Sequence, residues 1–238
     1  MTDFVVVIPS RYASQRLPGK PLREINGKPM IQHVQERGKE SSARDVVVAT
    51  DDQRIAEACE AFGATVCMTG DQHRSGSERI AEVCDVMDWR DDTIIVNLQG
   101  DEPTMPAALI DQCAALLDDA EADIGTLASA IASEEDFTNP NVVKTVLDDT
   151  GNALYFSRSP IPHHDFSLSL HHHGIYAYRA GVLRRLVAAP ASKLELSERL
   201  EQLRALSLGM KIRVAVPSTR PGVGVDTEED LQAVATQI

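Results

Sequence analysis

One alternation in the chain constrains its fold more than any other feature. Four short apolar, β-branched runs, at 4–8, 45–49, 65–68 and 93–98, are separated by stretches of helical periodicity at roughly 29–39, 53–62 and 77–87. Runs this short, without polar alternation, suit strands covered on both faces, as in parallel sheets. Parallel neighbours need a long crossover, so strand, helix, strand repeated three times predicts βαβ units. A further helix at about 106–117 follows the fourth strand. Pro29 suits a first helical turn, where its missing N–H would have had no partner.

The second half reads differently. Segments 125–131, 142–147, 153–157 and 174–178 are predicted strands with few helices between them. They suggest a small antiparallel extension at about 125–180 within a single domain spanning 1–238. A helix is predicted at 194–208, with Leu196, Leu200, Leu203 and Leu206 near the helical period and Gly209 as its stop. A strand at 211–216 and a last helix at 227–238 complete the pattern.

Composition narrows the function. The 238 residues carry a net charge of -13 and 4% aromatic residues, which argues against a general nucleic-acid binder. No apolar run is long enough to span a bilayer. The N-terminus has no basic region followed by a long apolar one, so a cytoplasmic protein is expected. Cys59, Cys67, Cys84 and Cys113 form no C-x-x-C pair and are expected to be reduced and mostly buried. The charge is uneven: residues 1–39 are net +4, leaving -17 on the rest. A basic zone on an acidic chain suggests a small anionic ligand near the N-terminus.

The loop after the first strand lies beyond a strand carboxyl end, where open α/β sheets bind ligands. It carries Arg11, Arg16 and Lys20, with Ser14, Gly19 and free amides between them. Guanidinium forks, an ammonium and backbone N–H groups can together wrap a triphosphate. Gly19-Lys20-Pro21 lacks the Ser or Thr and the upstream Gly of a P-loop, and no G-x-G-x-x-G follows the first strand, so a nicotinamide dehydrogenase is not expected. Gly222-Val223-Gly224 has neither a third Gly nor a following βαβ unit.

Two acids stand out. Asp101, in Gln99-Gly100-Asp101-Glu102-Pro103, sits at a strand end. Asp226, in Gly224-Val225-Asp226-Thr227, lies far downstream and could also cap the last helix. Mg²⁺ takes one or two carboxylates plus substrate phosphates, so these two suit it if the fold unites them. Five of the seven histidines fall within 163–173: His163, His164, His171, His172 and His173. One facing a substrate and the rest facing solvent is the favoured reading, with a transition-metal site as the alternative.

Taken together, 8–14, 16–22, 26–30, 49–52, 75–79, 97–103, 139–141, 153–158, 174–179, 200–204 and 224–227 resemble the 3-deoxy-manno-octulosonate (Kdo) cytidylyltransferase family along essentially the whole chain. The resemblance implies a Rossmann-like nucleotide-diphospho-sugar transferase fold, α/β, with a central mostly parallel sheet and a small antiparallel extension. It implies a homodimer that couples CTP to Kdo with Mg²⁺, releasing pyrophosphate and CMP-Kdo for lipopolysaccharide biosynthesis. It assigns Arg11, Ser14, Arg16 and Lys20 to the triphosphate, with Lys20 and Arg16 stabilising the leaving group. Asp101 and Asp226 are assigned to the metal, and Arg74, Ser75, Gly76 and Ser77 to the cytosine. Gln99, Arg158, His172, Tyr176, Glu201 and Gln202 are assigned to the sugar. The 162–171 segment is shorter than in relatives, and His172 is aligned with the family histidine. Rival readings are the same chemistry on an 8-amino Kdo analogue or a sialic acid, another base, or a non-catalytic nucleotide-sugar binder.

Overall fold

A computed structural model describes residues 2–13 and 17–238. In chain order the elements are β1 (Phe4–Ser10), β2 (Glu24–Ile25), β3 (Lys28–Pro29), α1 (Met30–Glu40), β4 (Asp45–Thr50), α2 (Gln53–Ala61), β5 (Thr65–Met68), α3 (Gly76–Val86), β6 (Ile94–Asn97) and α4 (Ala107–Ala115). There follow β7 (Ile124–Ala130), α5 (Glu134–Thr138), β8 (Lys144–Leu147), β9 (Ala153–Ser157), β10 (Leu170–Arg179), α6 (Ala180–Ala188), α7 (Lys193–Glu198), α8 (Gln202–Ser207), β11 (Ile212–Ala215) and α9 (Glu228–Ala235).

The main sheet runs β11-β7-β10-β6-β1-β4-β5. Strands β6, β1, β4 and β5 are parallel, as the alternation predicted. Strand β10 lies antiparallel between β6 and β7, and β11 closes the far edge parallel to β7. Strands β8 and β9 extend the same sheet through pairing with the start of β10. Successive side chains of a strand point to opposite faces. Accordingly, Val5 and Val7 of β1 join a core with Ile80 and Cys84 of α3 and Leu183 of α6. Phe4, Val6 and Ile8 join another, with Ile31 of α1, Ile55 of α2 and Leu109 of α4. Helices therefore cover both faces, the arrangement that fully apolar strands require.

The predicted 194–208 helix is two helices. The chain breaks at Arg199, whose φ of 55° is left-handed. The apolar spacing looked continuous, but Leu196 is exposed while Leu200 and Leu203 are buried. The break is stabilised by a buried pair: Arg204 donates to Glu195 Oε2 at 2.8 Å and Oε1 at 2.5 Å. Glu195 also closes a capping box with Ser192. Strand β10 begins four residues earlier than expected, and α6 was not anticipated. Its Gly181 weakens the helical signal, while burial of Leu183 and Leu186 supplies the stability. Pro29 stands just before α1. All four cysteines are free and buried, and burial pushes Cys59 and Cys84 up to about 12.

A third small core decides the site. Leu17, Ile25 and Met30 pack against Val225 and against Leu231 and Val234 of α9. This cluster folds the chain's last helix onto the loop after β1, across more than 200 residues of sequence.

Candidate active site

Three segments converge at the carboxyl ends of β1 and β6. Lys20 opens a short 3₁₀ turn, Lys20–Leu22, and its side chain is largely buried. Its Nζ donates to Asp101 Oδ2 at 2.7 Å and to Asp226 Oδ1 at 3.0 Å. The two acids, 125 positions apart, are joined through the backbone as well: Val225 N–H donates to the Asp101 carbonyl at 2.8 Å. Asp226 does not cap α9. Thr227 does, its hydroxyl accepting from Asp230 N–H while the Asp230 carboxylate accepts from the amides of Thr227 and Asp226. The capping explanation for Asp226 is thereby removed, and its carboxylate stays directed at Lys20.

The Gly222-Val223-Gly224 turn serves close approach. A Cβ on Gly222 would lie 2.5 Å from the Thr104 carbonyl oxygen, and one on Gly224 would lie 2.9 Å from Glu102 Oε1. Only glycine lets the two acid-bearing strands of chain run this near each other. Glu102 is the third carboxylate of the group. Burial, aided by the charge of Asp101, pushes it up to about 8.

A cavity of about 490 Å³ opens beside these groups. Arg11, Lys20, Asp101 and Asp226 line one side, and Arg74, Ser75 and Gly76 line another. Ser75 is the N-cap of α3, accepting from Glu78 N–H at 3.2 Å. The open amides at that helix start favour an anion. A second cavity of about 250 Å³ shares the walls Ser75, Gly76 and Gln99 and reaches Tyr176, Glu201 and Gln202. Glu201 is fixed from both sides: Ser75 Oγ donates to Oε1 at 2.8 Å and Ser77 Oγ to Oε2 at 2.5 Å. The helix break at Arg199 precedes Glu201 by two residues and sets this approach. Burial drives the Tyr176 and Tyr178 phenols well above their ordinary range, so they remain donors.

Two residues assigned to the sugar lie outside both linings. His172 is buried behind Tyr176, with ring centres 5.3 Å apart, and stands edge-on to Phe156. Thr126 Oγ1 donates to the Ile175 carbonyl at 2.7 Å, which leaves His172 Nε2–H to donate to that hydroxyl at 3.1 Å. Burial holds the ring neutral, pushed down to about 3. Arg158 directs its fork to two carbonyls, Nε to Glu198 and Nη1 to Pro140, both at 3.0 Å. Ser14 and Arg16 lie outside the described residues.

The sequence reading passed over several residues here. His73 and Arg79 line the larger cavity, and Asn97 and Tyr178 the smaller. Arg79 is buried, with Asp51 at 3.3 Å and the Gly70 carbonyl at 3.3 Å as partners. An arginine one turn into a helix reads as solvated surface until the sheet is assembled over it. Among the described residues no group of three or more His, Cys, Asp or Glu is arranged to hold a metal, and the His171–His173 run is no exception. The carboxylate pair nonetheless fits a hard divalent cation. Two hard oxygens already share one cationic atom, and Mg²⁺ draws its other ligands from water and substrate phosphate.

Comparison with known proteins places the chain in a family. A family model described as cytidylyltransferase matches residues 5–212. The chain is 53% identical to the 3-deoxy-manno-octulosonate cytidylyltransferase of Tolumonas auensis, over 98% of this chain and 95% of that one. It is equally identical to the Serratia proteamaculans protein of the same name, with 99% of each covered. The chain belongs to the 3-deoxy-manno-octulosonate cytidylyltransferase family. A solved CMP:2-keto-3-deoxy-manno-octonic acid synthetase in complex with CTP superimposes with a TM-score of 0.92 at 43% identity, covering 99% of this chain and 98% of that one. Family membership therefore rests on both sequence and fold. No helix among the described residues is long and apolar enough to cross a membrane.

Proposed function

We propose that this chain transfers the cytidylyl group of CTP to Kdo, giving CMP-Kdo and pyrophosphate for lipopolysaccharide biosynthesis. One observation carries the reading: Lys20, Asp101 and Asp226 meet in the wall of a nucleotide-sized cavity that abuts a second, smaller one. The larger cavity takes the nucleotide. Arg11 and Lys20, with Arg16, neutralise its phosphates, and Arg74, Ser75 and Gly76 at the approach to α3 face the base, while Ser77 is turned into the smaller cavity against Glu201. The smaller takes the sugar acid against Gln99, Tyr176, Gln202 and the fixed carboxylate of Glu201. His172 supports Tyr176 from behind. Arg158 meets the sugar carboxylate once its fork leaves the Glu198 and Pro140 carbonyls.

In the reaction the anomeric hydroxyl of Kdo attacks the α-phosphorus. A new P–O bond to the sugar forms, and the bond to the β-phosphate oxygen breaks. Pyrophosphate departs with that electron pair, while the hydroxyl proton passes to solvent. No covalent enzyme intermediate is needed, so positioning and charge stabilisation dominate. Lys20 contributes most directly, as an ammonium placed against the departing charge. Asp101 and Asp226 would hold Mg²⁺, which when bound supplies charge neutralisation at phosphoryl oxygens and acidifies the sugar hydroxyl. A cytoplasmic homodimer completes this reading.

The decisive assay measures pyrophosphate release with Mg²⁺, each nucleoside triphosphate in turn, and a panel of sugar acids that includes Kdo, its 8-amino analogue and a sialic acid. The expected result is release requiring CTP and Kdo together. CTP binding with no release under any pairing would leave a non-catalytic binder, and faster release with another sugar acid would reassign the acceptor.

A further inference from the structure

Lys20 opens a short 3₁₀ turn, and its reach to both acids depends on where that turn is placed. A run of contacts that leads to the residue before Lys20 begins on a different element. Asp52 caps α2 and accepts Arg54 N–H at 3.0 Å. The same carboxylate takes the Arg54 guanidinium in a two-point grip, Nε at 3.0 Å and Nη2 at 2.6 Å. That grip holds the guanidinium over Tyr12, with Cζ 3.4 Å from the ring centre. Against the hydroxyl-bearing end of the ring lies Gly19, the residue before Lys20.

Gly19 is held in two ways. Its N–H donates to the Tyr12 carbonyl at 3.3 Å, and its φ is 65°. A Cβ there would lie 3.2 Å from the Tyr12 Cζ and Oη atoms, so the end of the ring packs closely against the glycine. Tyr12 touches neither cavity, whereas its neighbour Arg11 and the downstream Lys20 both line the larger one.

We propose that Tyr12, clamped by Arg54, is the positioning residue that sets the Lys20 ammonium between Asp101 and Asp226. The proposal rests on the triphosphate role of Lys20. The chain of contact runs from the α2 cap through Arg54 and the Tyr12 ring to Gly19, and so to Lys20. A guanidinium over a phenol ring is attractive through the ring quadrupole, and the bidentate carboxylate holds the guanidinium in place there. Tyr12 thereby acts on the leaving-group end of the nucleotide without touching it. A phenylalanine retains the face that Arg54 needs, while an alanine leaves Gly19 uncovered.

The test is a double-mutant cycle read by pyrophosphate release. Tyr12→Ala is expected to lower kcat/KM for CTP by about tenfold or more, the scale of a misplaced charge. Its affinity for CMP should stay within about twofold, because CMP lacks the phosphates that Lys20 serves. Tyr12→Phe should retain wild-type kinetics, and Arg54→Ala should lose about two- to fivefold, as an exposed cation–π contact would. In a Lys20→Ala background, Tyr12→Ala should cost under about twofold more, since its effect passes through the missing ammonium. The same loss with and without Lys20 would overturn the proposal, as would an equal loss of CMP affinity. If Tyr12→Ala does not fold, Tyr12→Leu, which keeps bulk but offers no ring face, carries the same cycle. Unimpaired CTP use by Lys20→Ala alone would remove the triphosphate role itself, an outcome distinct from failure of the clamp.

Discussion

At the scale of single residues, the site is an argument about charge. Asp101 and Asp226 would repel each other at this separation, and Lys20 Nζ offsets that by binding both. Lys20→Met removes the ammonium that the two carboxylates share. Mn²⁺ binding without nucleotide, followed by electron paramagnetic resonance, should tighten by about tenfold, the scale of a ~1.4 kcal/mol gain. Asp101→Asn should abolish most turnover and Mn²⁺ retention while leaving the circular dichroism spectrum unchanged, and normal turnover would remove the metal assignment. Glu102, pushed up to about 8, has its own signature. A carboxyl whose folded pKa is raised binds an extra proton in the native state, so its contribution is complete below the unfolded value near 4.5 and is lost as pH rises through about 8. Glu102→Gln, in the presence of a chelator, should gain Tm relative to the parent at pH 8.5 and show no gain near pH 4.

At the scale of elements, two pieces set the chemistry from outside it. Helix α9 carries no site residue, yet Leu231 and Val234 anchor the turn that presents Asp226. Leu231→Ala should cost about 2 kcal/mol, the low end for a leucine truncated at the margin of a core. The accompanying fall in kcat should exceed that of an equally destabilising truncation in the main cores, such as Leu183→Ala. Strand β10 carries the histidine run. Burial pushes His172 down to about 3 and His173 to about 4, and lowers His171 as well. The unfolded chain therefore binds more protons than the folded one between pH 6.5 and 4, and stability rises with pH across that window. Tm should fall steeply as the pH drops below 6.5. His173→Gln should flatten the slope, and an unchanged slope would show that His173 titrates normally.

At the scale of the whole molecule, the two cavities exist because one sheet changes direction. Parallel β1 and β6 end at the basic loop and at Asp101, while antiparallel β10 enters beside β6 and places Tyr176 opposite Asn97. The parallel half was legible in the chain, since strands buried on both faces announce themselves by unbroken apolar runs. The basic loop and Asp101 were legible too, because glycine, proline and charge at a strand end are local signals. The smaller cavity was not. His73, Arg79, Asn97 and Tyr178 carry ordinary local signals, and the helix break at Arg199 depends on a buried Arg204–Glu195 pair that periodicity cannot register. Local sequence determined the strands, the crossover helices and the basic loop, for these follow from side-chain pattern and backbone preference within a few residues. Tertiary structure alone decided that Asp226 meets Asp101, that Glu201 is gripped by two serines, and that His172 stands behind the pocket wall. Each of these depends on the free energy of burying surfaces more than 40 positions apart, which no window along the chain contains.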